Sequence, residues 1–268
     1  MMQRIAMFGI SGRMGKTMAG ELVKEEDIEL IAGFDSVNTG MDLGQYLGTG
    51  KNGISITNSY EDILKQSPDI IIDFTIAEIA RRSINWALDN DIDIIVGTTG
   101  LTDQDLSDIE KKANGSRAKV LIAPNFAIGA VIMMKISGMI AKYFDNCEII
   151  ELHHDKKKDA PSGTSIATAK GISRNIRFNS SRLKDGEEET IESSRGGFAE
   201  GIHIHSIRLP GFLAHQNVIF GALGQTLSIR HDSLDRSSFY PGVIYAVRNI
   251  KKLSNYTYGL DKLIDLDQ

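Results

Sequence analysis

The chain has 268 residues, 41% hydrophobic and 24% charged, with a net charge of -5 and one cysteine. That composition is globular rather than disordered, and the length suits one large domain or two modest ones. It carries no global basic footprint for nucleic acid. A lone Cys147 excludes an intramolecular disulfide and any metal site built on several thiolates. Apolar runs such as Ile70 to Ile72 and Ile94 to Val96 fall far short of the roughly 20 residues that a membrane span needs. The N-terminus lacks the apolar core and cleavage site of a signal peptide. A cytoplasmic protein without nucleic-acid or membrane partners is expected.

The first 125 or so residues alternate between strand-like and helix-like segments. Arg4 to Gly9 reads as a short apolar strand, and Met14 to Lys24 as a helix with Met14, Met18, Leu22 and Val23 on one face. Strands follow at Ile28 to Asp35, Asp69 to Thr75, Asp93 to Gly97 and Val120 to Ala123. Helices are expected at Ala77 to Asp89 and from about Asp103. The continuous Ile70-Ile71-Ile72 suggests burial on both faces, as in a parallel sheet. The glycine-rich stretch from Met41 to Ser59 reads as a loop with one short strand near Ile54 to Thr57. Repeated βα units of this kind predict a doubly wound α/β domain.

The pattern then changes. Apolar residues from Ile128 to Phe144 recur at helical spacing and predict a long amphipathic helix. A strand at Glu148 to His153, a polar stretch with Pro161, and a helix capped by Ser162 and running to about Ile176 come next. Residues 177 to 200 are polar and read as a mobile loop. Three strand-like runs follow, Ile202 to Leu209, Asn217 to Gly221 and Gln225 to His231, and then a helix from Gly242 to Ile250. The expected fold class is α/β: a doubly wound Rossmann-type N-terminal domain with an α+β domain on a mixed sheet. The expected boundaries are 1–126, completed by about 240–268, for dinucleotide binding, and 127–239 for substrate binding and oligomerisation.

Gly9-Ile10-Ser11-Gly12-Arg13-Met14-Gly15 follows the first strand and opens a helix, where a dinucleotide-binding turn must lie. Glycines let the backbone approach a pyrophosphate, and the free N–H groups and the helix dipole favour its charge. An ordinary glycine-rich βα turn is the alternative. Asp35 ends the second strand, 20 residues after Gly15, where a carboxylate accepts from ribose hydroxyls or merely caps a turn. Asp35 repels a 2′-phosphate and Ser36 supplies no positive charge, while Arg13 is available on the phosphate side. NADH is therefore favoured, with NADPH left open. Gly97-Thr98-Thr99-Gly100 and Ala123-Pro124-Asn125-Phe126 end later strands, where doubly wound folds bind ligands.

The segment from Glu151 to Thr164 (ELHHDKKKDAPSGT) carries two histidines and three lysines between a strand and a helix start. Histidine exchanges a proton near neutral pH, lysine is a point cation for carboxylates, and a Ser162-Gly163-Thr164 helix start binds anions. Together they describe a pocket for an acidic substrate; a solvated basic loop before an ordinary cap is the alternative.

With Gly9-x-x-Gly12-Arg13-Met14-Gly15, Asp73-Phe74-Thr75, Gly97-Thr98-Thr99-Gly100, Asn125-Phe126 and Glu151-x-His153-His154-x-x-Lys157-x-Asp159-Ala160-Pro161-Ser162-Gly163-Thr164, the chain resembles the 4-hydroxy-tetrahydrodipicolinate (dihydrodipicolinate) reductase family. The resemblance implies NADH- or NADPH-dependent reduction of that cyclic dicarboxylate in lysine and diaminopimelate biosynthesis, after loss of water to a conjugated imine. It implies His153 as the catalytic acid/base residue and Lys157 as the proton donor, with Lys157 chosen over Lys156 and Lys158 by register. His154, Gly163 and Thr164 would hold a substrate carboxylate. Gly9, Ile10, Ser11, Gly12, Arg13, Met14, Asp35, Gly97, Thr98, Thr99, Ala123, Pro124, Asn125 and Phe126 would hold the nucleotide. A homotetramer built through the second domain's sheet is implied, and no metal. The chain departs from some members at Ser36, where they carry arginine, and at Ile76, where they carry a basic residue.

The remaining candidates read as structural. Cys147 has no base placed beside it. His203-x-His205 lacks a third metal ligand. His215 and His231 suit surface or interface positions, Trp86 packing, and Arg208 and Arg236 either carboxylate binding or intersubunit pairs. A homoserine-type dehydrogenase would share the first domain without the second motif, and a nucleotide sensor would need no proton donor.

Overall fold

The structure is a computed structural model that describes residues 2–178, 181–183 and 185–266. In chain order the elements begin with β1 (Gln3–Phe8), α1 (Arg13–Leu22), β2 (Ile28–Phe34), α2 (Leu43–Leu47), β3 (Ile56–Thr57) and α3 (Tyr60–Lys65). They continue with β4 (Ile70–Asp73), α4 (Ala77–Asp89), β5 (Asp93–Val96), α5 (Asp103–Ala113), β6 (Val120–Ile122), α6 (Ile128–Ile140), β7 (Asn146–His153) and α7 (Gly163–Ser173). The last are β8 (Gly197–Ala199), β9 (Ile202–Arg208), β10 (Ala214–Ala222), β11 (Gln225–Ser233), α8 (Tyr240–Asn249) and β12 (Tyr256–Tyr258). The chain divides into two compact units, Met1–Phe126 with Phe239–Gln268, and Ala127–Ser238.

The first unit holds a seven-stranded parallel sheet in the order β12-β6-β5-β4-β1-β2-β3. The strand order reverses at β1, with β2 on one side and β4 on the other. That is the switch point at which such sheets open a crevice beyond their carboxyl ends. Every residue of β4 and β5 is buried, which is why their sequences are continuous apolar runs rather than alternating ones. An aromatic cluster closes one face of the core. Phe8 stacks on Phe34 at 4.4 Å between centroids, and Tyr60 and Trp86 meet at 4.9 Å. Trp86 is thus a packing residue. Arg248 of α8 bonds both Asp27 oxygens, at 2.8 and 2.6 Å, and β12 adds its strand beside β6.

The second unit holds a five-stranded sheet in the order β11-β10-β7-β9-β8, in which β7 and β9 run parallel and the other pairs antiparallel. This is the mixed sheet expected for an α+β unit. Burial alternates along β7, so Cys147, Ile149 and Glu151 face one side. Cys147 and Ile149 join Val218, Phe220 and Ile204 there in a core completed by Met133 of α6 and Ile172 of α7. Burial pushes the Cys147 thiol up to about 12, which makes it an inert core residue.

The structure corrects the sequence reading in five places. The stretch read as loop between Met41 and Ser59 contains α2, capped by the Asp42 carboxylate on Gln45 N and ended by Gly48 at φ +80°. The unassigned residues after it form α3. Both are one turn or little more, too short to show a period. The apolar run from Ile128 is a helix only to Ile140 and then a 3-10 turn, Ala141–Tyr143. Its residues are apolar nearly all round rather than on one stripe, because it packs against both α7 and β11. The polar 177–200 segment ends in β8, and β12 lies beyond the last helix expected.

Candidate active site

In the first unit the chain turns at the end of β1. Gly9 takes φ +78°, a conformation that costs a residue with Cβ about 1 kcal/mol or more, and its own Cβ would stand 2.6 Å from the Phe74 carbonyl oxygen. A Cβ on Gly15 would stand 2.0 Å from the Gly9 carbonyl oxygen. Both glycines are therefore dictated by close backbone approach, the first between the β1 and β4 loops and the second between loop and helix. Gly12 N donates to Gly9 O at 3.0 Å and completes the turn. Helix α1 then starts without a side-chain cap and without an acidic residue in its first turn. By contrast α2, α3, α5 and α7 are all capped by Asp, Ser or Thr side chains. The α1 N-terminus, uncapped like those of α4, α6 and α8, leaves its positive dipole end open to an external anion.

Asp35 is bound to this loop. Its Oδ2 accepts Ser11 N at 2.9 Å and its Oδ1 accepts Val37 N at 3.0 Å, while Ser11 Oγ donates to Val37 O. The carboxylate is held at the rim of a cleft of about 640 Å³ that Gly9, Ser11 and Gly12 also line. The other wall comes from Tyr60, Phe74, Ile76, Ile79 and Arg82. Ile76, Ile79 and Arg82 recur at intervals of three at the start of α4, a stripe whose meaning depends on knowing that α4 flanks the β1 loop. The uncapped helix end, the close-packed glycines and the mostly apolar cleft fit a dinucleotide.

The other residues expected at the nucleotide are placed more variably. Ile10 is fully buried, so only its backbone faces the turn, while Arg13 is exposed and Met14 half-buried. Gly97 N donates to Asp73 O at 2.9 Å. Thr98 is buried, and its hydroxyl turns inward to Asp73 Oδ1 at 2.8 Å; Thr99 is exposed. Burial pushes the Asp73 carboxyl up, against hydrogen bonds from Thr75 and Thr98. Ala123 and Phe126 are buried, Pro124 exposed and Asn125 half-buried, all beyond the end of β6. None of these later residues lines the 640 Å³ cleft.

The second unit builds its site from side chains. The alternation of β7 sends Glu151 and His153 to the same face. Glu151 is fully buried, and its Oε2 meets His153 Nδ1 at 2.5 Å. Arg208 grips the same carboxylate with both terminal nitrogens, NH1 to Oε2 at 2.8 Å and NH2 to Oε1 at 2.7 Å. Ser162 N adds a fourth donor to Oε1 at 3.2 Å. Burial alone pushes this carboxyl up, but hydrogen bonds from His153, Arg208 and Ser206 outweigh it and hold the group at about 2. Register explains the meeting: Arg208 of β9 stands opposite His153 of β7. The sequence left Arg208 between two roles; the structure puts it on a carboxylate of its own chain.

Arg208 NH2 also bonds the Asp159 carbonyl oxygen at 2.8 Å, so the support of His153 continues into the lysine-bearing loop. There Lys157 Nζ reaches both Asp159 oxygens at 2.8 Å. Lys157 is half-buried, whereas Lys156 and Lys158 are exposed. The Lys157 ammonium holds the Asp159 carboxyl below its ordinary value. His154 and Thr164 are half-buried and Gly163 exposed, around the first turn of α7. That turn is anchored from beneath. Ser162 Oγ caps Ser165 N, Ser165 Oγ donates to Gln216 Oε1 at 2.7 Å, and Gln216 Nε2 donates to Thr168 Oγ1 at 2.8 Å, all of it buried. Gln216 of β10 is the cross-strand partner of Glu151, so one sheet position supports both the histidine and the helix start. Neither Gln216 nor Ser165 stood out in the sequence, where each is one polar residue among many.

The other histidines have structural partners. His203 Nδ1 meets Arg195 O at 2.7 Å, and its ring lies 5.0 Å from Phe198. His205 pairs with Glu148 at 2.8 Å, and His215 Nδ1 with Asp232 at 2.6 Å. Burial lowers the His231 imidazole. Arg236 is exposed in a 3-10 turn.

Comparison with known proteins agrees with this layout. Residues 3–126 match the family model described as dihydrodipicolinate reductase, N-terminus, and residues 129–264 the one described as dihydrodipicolinate reductase, C-terminus. A 4-hydroxy-tetrahydrodipicolinate reductase of Carboxydothermus hydrogenoformans is 43% identical over 98% of this chain and 100% of its own. One from Listeria innocua is 42% identical, again over 98% and 100%. The dipicolinate-bound dihydrodipicolinate reductase from Paenisporosarcina sp. TG-14 superposes with a TM-score of 0.88 at 36% identity, over 98% of this chain and 100% of its own. The chain belongs to the dihydrodipicolinate reductase family, oxidoreductases of lysine and diaminopimelate biosynthesis that use a nicotinamide nucleotide.

Proposed function

We propose that the chain reduces 4-hydroxy-tetrahydrodipicolinate to tetrahydrodipicolinate, with the nucleotide held by the first unit and the substrate by the second. The observation that carries the second half is the joining of His153 and the Lys157 loop through Arg208, beside the α7 N-terminus. A sheltered lysine, two histidines and an anchored helix start suit a dicarboxylate, and the dipicolinate-bound relative carries such a ligand.

In this reading Gly163 and Thr164 present backbone N–H groups to one substrate carboxylate, and His154 adds a side-chain contact. Loss of the 4-hydroxyl as water leaves a conjugated imine. A reduced nicotinamide, when bound, would supply the hydride that ring carbon 4 takes up. Lys157 leaves Asp159 and delivers its proton as charge builds on the ring nitrogen, with His153 as the acid/base partner. Gly9 to Met14 hold the pyrophosphate and Asp35 the adenosine ribose, while Gly97 to Thr99 and Ala123 to Phe126 border the nicotinamide through their backbone. NADH is the preferred reductant, since the Asp35 carboxylate lines the cleft and Ser36 follows it without a positive charge. The active form is a homotetramer formed through the second unit's sheet.

Oxidation of NADH, and separately of NADPH, is measured with freshly generated substrate, beside His153→Ala and Lys157→Ala. Fast substrate-dependent NADH oxidation with large losses in both variants is expected. Nucleotide binding without turnover sinks the substrate assignment. Light scattering on the eluted peak reads the tetramer as four times the chain's mass.

A further inference from the structure

The buried carboxylate behind His153 has more to do than neutralise a charge. Glu151 has no solvent exposure, and a carboxylate in that position is costly unless its lone pairs are filled. Two nitrogens of Arg208, the Ser162 amide, His153 Nδ1 and the Ser206 side chain fill them. An ionised carboxylate only accepts, so the ring nitrogen 2.5 Å from it carries the hydrogen. His153 Nε2 is then the nitrogen left to exchange a proton. Arg208 cannot turn away, because its NH2 also bonds the Asp159 carbonyl oxygen and its NH1 the Ile207 carbonyl oxygen. Ser162 is fixed in turn by its cap on α7 and its bond to Ser165.

We propose that Glu151 is a positioning residue, whose clamped carboxylate fixes the tautomer and ring orientation of His153 and, through Arg208, couples them to the lysine loop. The proposal rests on the reading of His153 as the acid/base group. It adds that this group works because a neighbour that never touches substrate dictates which nitrogen bears the proton. Groups that orient a metal-bound imidazole through its second nitrogen are worth about 10–100-fold in affinity or activity, and an effect of that order is expected here.

The experiment uses the full-length protein with nitrogen-15 in its histidine rings. Ring spectra of the nucleotide-free protein report the tautomer directly, with His153 assigned by its loss in His153→Ala. In the neutral ring form the wild type is expected to carry the proton on Nδ1, and Glu151→Gln to lose that signature, because the amide offers a donor where the carboxylate only accepts. Turnover in Glu151→Gln is expected to fall about 10–100-fold with KM within about threefold and nucleotide affinity unchanged. Glu151→Asp is expected to recover the signature and part of the rate. In a His153→Ala background Glu151→Gln is expected to cost nothing further. An Nε2–H tautomer in the wild type overturns the proposal, and that readout needs no variant to fold. So do losses that multiply in the double variant. Full activity in His153→Ala alone overturns the acid/base reading instead, while activity lost in His153→Ala and retained with the tautomer in Glu151→Gln overturns only the positioning role.

Discussion

The loop after β1 and the loop after β7 both leave a strand and open a helix, and both are suited to negatively charged ligands. They are made in opposite ways. The first is backbone: glycines at positions where a Cβ would collide with a carbonyl, a helix with no cap of its own, and one carboxylate pinned by two amides. The second is side chain: a buried glutamate, an arginine across the strand pair, a histidine and a lysine, with the helix capped and wired to the sheet beneath. A backbone site discriminates by shape and dipole and needs no group that exchanges protons. A side-chain site can deliver protons, at the cost of burying charges that must all be satisfied. In the function proposed above the units divide the work of a reductase along that line, one holding the nucleotide and the other transferring protons.

The largest test of this contrast is to remove the proton-handling side chains alone. Lys157→Ala and His153→Ala are each expected to lower kcat/KM by about 10²–10⁴-fold while nucleotide affinity, read by fluorescence titration, stays put. A parallel loss of nucleotide affinity would break the division.

The converse change is Gly15→Ala. Its methyl group lands 2.0 Å from a backbone oxygen that cannot move aside. Nucleotide Kd should rise on the order of 100-fold, about 2.7 kcal/mol, and the melting temperature should drop. The His153 ring spectrum should stay as in the wild type. Unchanged nucleotide affinity would show that the loop does not approach its ligand closely.

Acid should separate the two sites. The folded-state pKa of Glu151, at about 2, lies below its ordinary value of 4.5. The stability it contributes is therefore fully present above about pH 4.5 and is lost as pH falls towards 2. In urea unfolding, the gap between wild type and Glu151→Gln should be constant from pH 7 to about 5 and narrow below that. A gap that widens with acid contradicts the clamp.

The smallest effect expected is at the rim of the nucleotide cleft. Asp35→Ala removes acceptors for the ribose and the tether of Ser11, so NADH affinity should fall about tenfold, one to two hydrogen bonds at roughly 1 kcal/mol each. NADPH affinity should fall less, because a repulsive charge goes with it. Calorimetric titration of both nucleotides gives the ratio, and equal losses would remove Asp35 as the source of preference.

The two sites also differ in how they show in sequence. The β1 loop was legible because backbone geometry leaves a local mark: glycines at fixed spacing between an apolar strand and a helix start. The Glu151 to Thr164 segment was legible as chemistry, by its unusual density of histidine and lysine. Its wiring was not. Arg208 lies 57 residues beyond Glu151 and Gln216 lies 65 beyond it, and nothing in either residue's neighbourhood marks it as a partner. Cross-strand register brings them together. The orientation of Thr98 was equally hidden: its hydroxyl turns inward to Asp73, 25 residues away in sequence. The short helices α2 and α3 escaped because a single turn shows no period.

Local physics, then, was enough for the parallel βα succession, the dinucleotide turn, the Ser162 cap and the histidine–lysine motif, since each depends on residues within a few positions of one another. Only the folded chain decided which lysine is sheltered, which arginine grips Glu151, and which nitrogen of His153 faces that carboxylate. Those follow from register between strands far apart in sequence, and register is set by burial of whole sheet faces rather than by any one segment.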